Sequence, residues 1–262
     1  MRLCQRGEVS NGMRTILRWT LRVVVGIIIG LILYEGILFV RVLWLRSHNP
    51  SSTSLIDTRD NEAHEKGQEA RREQTWVPLD RISTNLQRAV LAGEDTNFVT
   101  HHGFDYQAIQ KAFEQAQREA EKEAKKEGED DDWLPSLPEF RRGGSTISQQ
   151  LAKNLYLSSQ KNFIRKGQEA IVTVMLERIL TKRRILEIYL NVIEWGDGVY
   201  GAEAAAQHYF HKPASALTAS EAGFLSAMIP NPRTVFNPQL NPRRVARRQR
   251  IIMRGMPFIK LP

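Results

Sequence analysis

The sequence predicts a mainly α fold preceded by one transmembrane helix, on three observations. Apolar residues recur at helical spacing in nearly every patterned segment, helix start signals open several of those segments, and one stretch near the N-terminus is apolar all round. That stretch is residues 23–40, VVVGIIIGLILYEGILFV. Its thirteen Val, Ile, Leu and Phe residues, at about −0.3 to −0.6 kcal/mol each, outweigh roughly +3 kcal/mol for Glu35. With Arg41 to Leu45 at its edge, the run 23–45 is long enough to span a bilayer. Arg2, Arg6, Arg14, Arg18 and Arg22 precede it, against Arg41 and Arg46 after it. This bias predicts that residues 1–22 stay cytoplasmic and the remainder is exported. A cleaved leader would need a short apolar core and a small-residue cleavage site, and VLWLRSHNP offers none.

Residues 46–75 are polar, lack periodicity and read as a tether. Packed structure is expected over 76–262, from Trp76, Val77 and Leu79 onward. Helices are expected over Thr84 to Asp95, Asp105 to about Lys126, Ser145 to Leu157, Arg165 to Leu180, Lys182 to Asn191, Gly201 to Phe210 and Thr218 to Met228. The last opens with the capping box T-A-S-E and is stopped by Pro230 and Pro232. Residues 119–132 hold eight acidic side chains against three lysines, and WLPSLPEF follows. A block of like charge prefers solvent, so a frayed helix end should run into a loop there.

The 262 residues, 42% apolar and 25% charged, suit one domain of ordinary size plus extras. A formal charge of +8 and a pI near 9.7 favour an anionic partner: phosphate, nucleic acid or lipid headgroups. The sole cysteine, Cys4, precedes the span, which excludes a disulfide framework or a Cys-based zinc site beyond it.

The stretch RRGGSTISQQLAKN, Arg141 to Asn154, organises the rest. After a glycine pair, Ser145 or Thr146 can cap a helix, and Gln149 lies at capping-box spacing from Thr146. Ile147, Leu151 and Leu155 form its buried stripe, flanked by Gln149, Gln150, Lys153 and Asn154. Such a helix start, with free N–H groups, hydroxyls and a lysine further on, suits a phosphate-bearing ligand; alone, it is equally an amphipathic surface helix.

Glu94 and Asp95 end a helix, facing the negative end of its dipole. A partly buried carboxylate there should have a raised pKa and is a candidate base. His101 and His102 are poor metal ligands, because adjacent side chains diverge. Arg165 and Glu169 are four residues apart on a helix that becomes apolar, so an enclosed ion pair is expected. Ser158 and Lys161 satisfy S-x-x-K, but no K-T-G follows.

Together E-D-x-x-F-x-x-H-x-G at Glu94 to Gly103, GGSTISQQLAKN at Gly143 to Asn154, R-K-x-x-E at Arg165 to Glu169, K-x-x-I-L-E-x-Y-L-N at Lys182 to Asn191 and GAEAAAQHYFHK at Gly201 to Lys212 resemble the peptidoglycan glycosyltransferases of family 51. One anchor and no second catalytic domain resemble its monofunctional members. The resemblance runs from Trp76 to about Pro238 and leaves an acidic insertion at 119–140 and the basic tail unexplained. It implies a lysozyme-like helical domain with a small membrane-associated jaw, polymerising lipid II at the periplasmic face of the inner membrane. Glu94 matches the general base and Glu169 the second glutamate near the donor diphosphate. Lys153, Arg165 and Lys166 match the basic positions set against that diphosphate. Asp95, Phe98, His101, Gly103, Ser145, Thr146, Gln149, Gln150 and Asn154 match cleft-lining positions. A divalent cation, Mg or Mn, is implied at the diphosphate, and no organic cofactor. Implied partners are lipid II, the nascent glycan, the membrane and other cell wall synthesis and division proteins, not nucleic acid. Ser148, Arg183 and Arg184 depart from the family pattern, outside its chemistry.

Chemistry alone leaves three readings: a transferase with one base and a basic cradle, a lysozyme-like hydrolase with paired carboxylates, and a silent membrane-anchored scaffold. The cluster of cations favours the first. Arg243 to Arg254, with six arginines and no acid, is either a solvated helix face or a surface resting on an anionic leaflet, at about 1 kcal/mol per charge.

Overall fold

The computed structural model describes residues 5–111, 114, 117–118, 145–157 and 163–262. The Gly143–Gly144 turn, the acidic stretch 119–132, the far end of the helix expected over 105–126 and the Ser158/Lys161 pair lie outside those residues. Two compact units make up the chain, 1–47 and 48–262.

The first unit is one helix, α1 (Gln5–Trp44). Within it Leu17–Trp44, 28 residues, is long and apolar enough to cross a membrane. At 1.5 Å per residue this is about 42 Å of helix, more than the roughly 30 Å of hydrocarbon.

The second unit begins earlier than the polar composition of 46–75 suggests, and the expected tether is folded. Helix α2 (Ser54–Glu65) starts at Thr53, whose hydroxyl accepts from the Ile56 N–H. Ile56 is fully buried. Arg59 reaches Glu62 at 2.9 Å and Glu194 at 3.0 Å, and the Ser54 hydroxyl donates to the Leu157 carbonyl at 2.9 Å. One apolar side chain and several long-range polar contacts hold this helix, so it has no apolar stripe to be read from sequence. Strand β1 (Glu73–Gln74) then joins a small sheet of order β1-β3-β2, with β2 Glu194–Gly196 and β3 Val199–Tyr200. β1 runs parallel and β2 antiparallel to β3.

Further helices are α3 (Thr84–Glu94), α4 (Ile147–Tyr156), α5 (Phe163–Ile179), α6 (Lys182–Val192), α7 (Ala202–Phe210), α8 (Ala219–Met228) and α9 (Pro242–Gly255), and residues 106–111 are helical too. The mainly α class holds, with ends within a few residues of those expected. Both capping boxes form: Thr146 with Gln149 opens α4 and Thr218 with Glu221 opens α8. Each such cap stabilises its helix by about 1 kcal/mol. Ile147, Leu151 and Leu155 are buried as the spacing required. α4 packs on α2, α5 and α6, while α3, α8 and α9 form a second cluster.

The basic stretch after Asn241 is not a tail. It is α9, which buries Val245 and Ile252 against this second cluster. The close approach depends on Gly93, where a Cβ would lie 2.8 Å from the Ser226 hydroxyl and 3.1 Å from Ile252 Cδ1. Glu94, the next residue, is thereby brought to the helix interface.

Candidate active site

Glu94 ends α3, and Asp95 is its C-cap. The side chains of these neighbours serve different ends. The Asp95 carboxylate accepts from the Ile147 N–H at 2.9 Å, at the start of α4, and from His101 Nε2 at 2.9 Å. His101 Nδ1 accepts from the Gly103 N–H at 3.1 Å, which makes Nε2 the protonated nitrogen of a neutral ring. The Gly103 carbonyl, in a residue at φ +94°, accepts from the Thr146 hydroxyl at 2.7 Å. Phe98 is buried edge-on to His101, beneath Lys182. The loop is therefore a clamp that fixes the start of α4 beside the end of α3. Phe98, His101, Gly103 and Gln149 hold the cleft in shape, and Asp95 does so while also bounding the cavity.

A cavity of about 200 Å³ lies at this junction, bounded by Glu94, Asp95, Thr96, Asp105, Ser145 and Thr146. A larger one of about 490 Å³, by Arg59, Lys66, Arg71, Asp197 and Arg233, shares none of these residues, and its basic and acidic side chains offset one another.

Each Glu94 oxygen meets a donor. Gln150 Nε2 donates to one at 2.9 Å and Arg248 Nη2 to the other at 2.7 Å. Gln150 accepts in turn from the Tyr189 hydroxyl at 2.7 Å, and Tyr189 is fully buried on α6. Burial pushes the Glu94 pKa up, with Arg248, Gln150 and Lys153 opposing it. The raised value expected for a helix-end carboxylate is present, with desolvation as the leading cause.

Glu169 on α5 is 2% exposed. Arg165 Nη1 meets one of its oxygens at 2.9 Å and Lys166 Nζ meets the other. The enclosed pair expected from their spacing is thus a triad. Lys153 on α4 has its pKa lowered, chiefly by desolvation of its own ammonium, with Glu169 and Glu94 opposing and Arg165 and Lys166 reinforcing the effect. It lies within electrostatic reach of both glutamates. The packing of α4 on α5 thus joins the three basic residues in one cluster. Asn154 is buried on α4 and Ser145 is exposed at the cavity. Of the departures from the family pattern, Ser148 donates to Glu177, and Arg184 stacks on Trp76.

Two residues that meet the site were not singled out from sequence. Tyr189 stands inside K-x-x-I-L-E-x-Y-L-N as one more apolar-stripe position, with nothing to mark its hydroxyl. Arg248 is one of six arginines in a run, and only the side of α9 it occupies distinguishes it.

A buried carboxylate at a cavity, with a cationic cluster one helix away, equips a protein for polar group transfer. The transglycosylase family model matches residues 60–128 and 134–257, and the chain belongs to that family. The match breaks only at residues 129–133, within the acidic stretch, and it takes in the basic C-terminal helix. The biosynthetic peptidoglycan transglycosylase of Azoarcus sp. is 46% identical over 239 residues, 91% of this chain and 95% of its own. That of Thiobacillus denitrificans is 44% identical over 250 residues, 95% of this chain and 100% of its own. The corresponding protein of Laribacter hongkongensis is 43% identical over 248 residues, covering 94% and 100%.

Proposed function

We propose that this enzyme polymerises lipid II into glycan strands. The growing chain passes from its undecaprenyl diphosphate to the 4-hydroxyl of the acceptor N-acetylglucosamine, forming a β-1,4 link with inversion. The carrying observation is a cavity carboxylate, Glu94, beside a separate basic cluster. Glu94 takes the 4-hydroxyl proton as that oxygen attacks the anomeric carbon. The bond to the diphosphate breaks and its electron pair leaves with the diphosphate, whose charge Lys153, Arg165 and Lys166 meet. A diphosphate so neutralised needs no acid.

The hydrolase alternative needs a second carboxyl group to protonate a poorer leaving oxygen. Glu169 is badly placed for that, because a cation occupies each of its oxygens. Its part is to orient Arg165 and Lys166.

Among the described residues no three His, Cys, Asp or Glu side chains converge as metal ligands. A divalent cation, Mg or Mn, would therefore be held chiefly by the diphosphate oxygens and water, since Arg165 and Lys166 already occupy both oxygens of Glu169. Such an ion would add charge neutralisation at the leaving group.

Incubation of the purified protein with lipid-linked disaccharide-peptide should yield polymer on a gel. No polymer with or without divalent metal would overturn the reading, and shortening of added glycan would point to the hydrolase.

The proposal places α1 as a single-pass anchor in the inner membrane, N-terminus cytoplasmic and catalytic domain periplasmic. Cell wall synthesis and division proteins are proposed as further partners. Arg243, Arg244, Arg247, Arg250 and Arg254 are exposed on α9, with Leu240, Ile251 and Phe258 exposed nearby, a composition suited to an anionic lipid surface. At about 1 kcal/mol per charge, changing these five arginines to Gln in a chain lacking residues 1–47 should weaken binding to anionic vesicles at low salt by about 10³-fold. Equal binding would refute a membrane role for this face.

A further inference from the structure

We propose that Arg248 is a positioning residue for Glu94, holding the carboxylate in its charged form and aiming it at the cavity. The inference rests on the reading of Glu94 as the base, and concerns what keeps that base usable. A base must be ionised to accept a proton, and a buried carboxyl group left alone favours the neutral acid.

The hydrogen bonds around Glu94 suit the anion alone. Tyr189 donates to Gln150 Oε1, which fixes the amide so that its NH₂ faces Glu94. Arg248 has only donors. Both oxygens therefore face donors, and the neutral acid would set its own proton against one of them.

Arg248 is itself held. Its Nη2 donates to the Gly93 carbonyl at 2.9 Å as well as to Glu94, and its guanidinium lies 5.4 Å from the centre of the Phe236 ring. α9 is anchored on the same side by Val245 and Ile252, three and four residues away along the helix. The charged and titratable groups around Glu94 are Arg248 from α9, Lys153 from α4, Tyr189 from α6, and Asp95 and Asp105 at the cavity wall. Among the influences that lower the Glu94 pKa, the charge of Arg248 is the largest.

The test is the pH dependence of kcat/KM for lipid-linked disaccharide-peptide in the full chain, comparing wild type with Arg248→Gln and Arg248→Lys. Losing an opposite charge in direct contact raises a carboxyl pKa by roughly 1 to 3. The acid limb of Arg248→Gln should therefore move up by at least about one pH unit, and that of Arg248→Lys should stay near wild type. On the acid side Arg248→Gln should lose about tenfold or more, narrowing to about threefold at alkaline pH as Glu94 ionises unaided. Arg248→Met, which keeps an apolar stem against Phe236, carries the same test if the Gln variant fails to fold. A loss equal at every pH, shared by the Lys variant, would reduce Arg248 to a packing residue and overturn the proposal. Glu94→Gln in the same assay separates the two claims. If it is inactive while the limb of Arg248→Gln is unmoved, only this proposal fails; if it is active, the assignment of the base fails too.

Discussion

Glu94→Gln is expected to lower the turnover rate by roughly 10² to 10⁴, the range ascribed to general-base catalysis, while leaving substrate binding in place. The amide keeps the shape of the side chain and cannot take a proton. It also carries its own NH₂, which must face either Arg248 or Gln150, both donors here. One hydrogen bond is lost, at about 1 to 3 kcal/mol of stability for a buried donor left without an acceptor. Thermal unfolding beside the kinetics separates the two effects, and a folded variant polymerising within about threefold of wild type would rule Glu94 out as base.

Lys153→Ala should depress kcat by roughly 10² to 10³, the scale of removing one preorganised electrostatic contact, and raise KM much less. On the proposed mechanism the charge that Lys153 meets grows as the diphosphate departs, so its contribution should appear chiefly in the transition state. It is the cleanest probe of the cluster, since it makes no ion pair among the described residues. Arg165→Ala should slow the reaction too, but it also leaves the buried Glu169 with Lys166 alone, and breaking a buried pair costs about 3 to 5 kcal/mol. The double variant should lose less than the product of the two single effects, because both cations act on one leaving group. Lys153 also titrates below an ordinary lysine. Activity should therefore fall as alkaline pH removes its proton, and Lys153→Arg, which stays charged, should lose that basic limb. Near-wild-type rates for Lys153→Ala would leave the diphosphate without its proposed partner and reopen the hydrolase reading.

Much of this arrangement is legible in the sequence because local rules write it there. The Thr146–Gln149 capping box, the stripe Ile147, Leu151 and Leu155 and the four-residue spacing of Arg165 and Glu169 are all short-range, and each takes the expected form. What escapes is long-range. Asp95 and His101 read as cleft residues, but their further part as a clamp does not, because Asp95 bonds to Ile147, 52 residues away. α2 reads as tether because its ties run through Arg59 to Glu194, 135 residues distant. Arg248 cannot be told from its neighbours until α9 is laid on α3 and its inward side is known. Polar pairs between remote segments leave no periodicity behind.

The bond between Glu94 and Arg248 spans 154 residues, and this separation gives the site a birth order. Synthesis runs from the N-terminus at about 5 to 20 residues per second, so α3 exists for seconds before α9 is made. Throughout that interval Glu94 has no guanidinium partner, and Gly93 has no α9 to close against. On the proposed role of Arg248, the base gains its support only when α9 docks, and a chain ending before Pro242 would have its motifs in place with Glu94 unsupported.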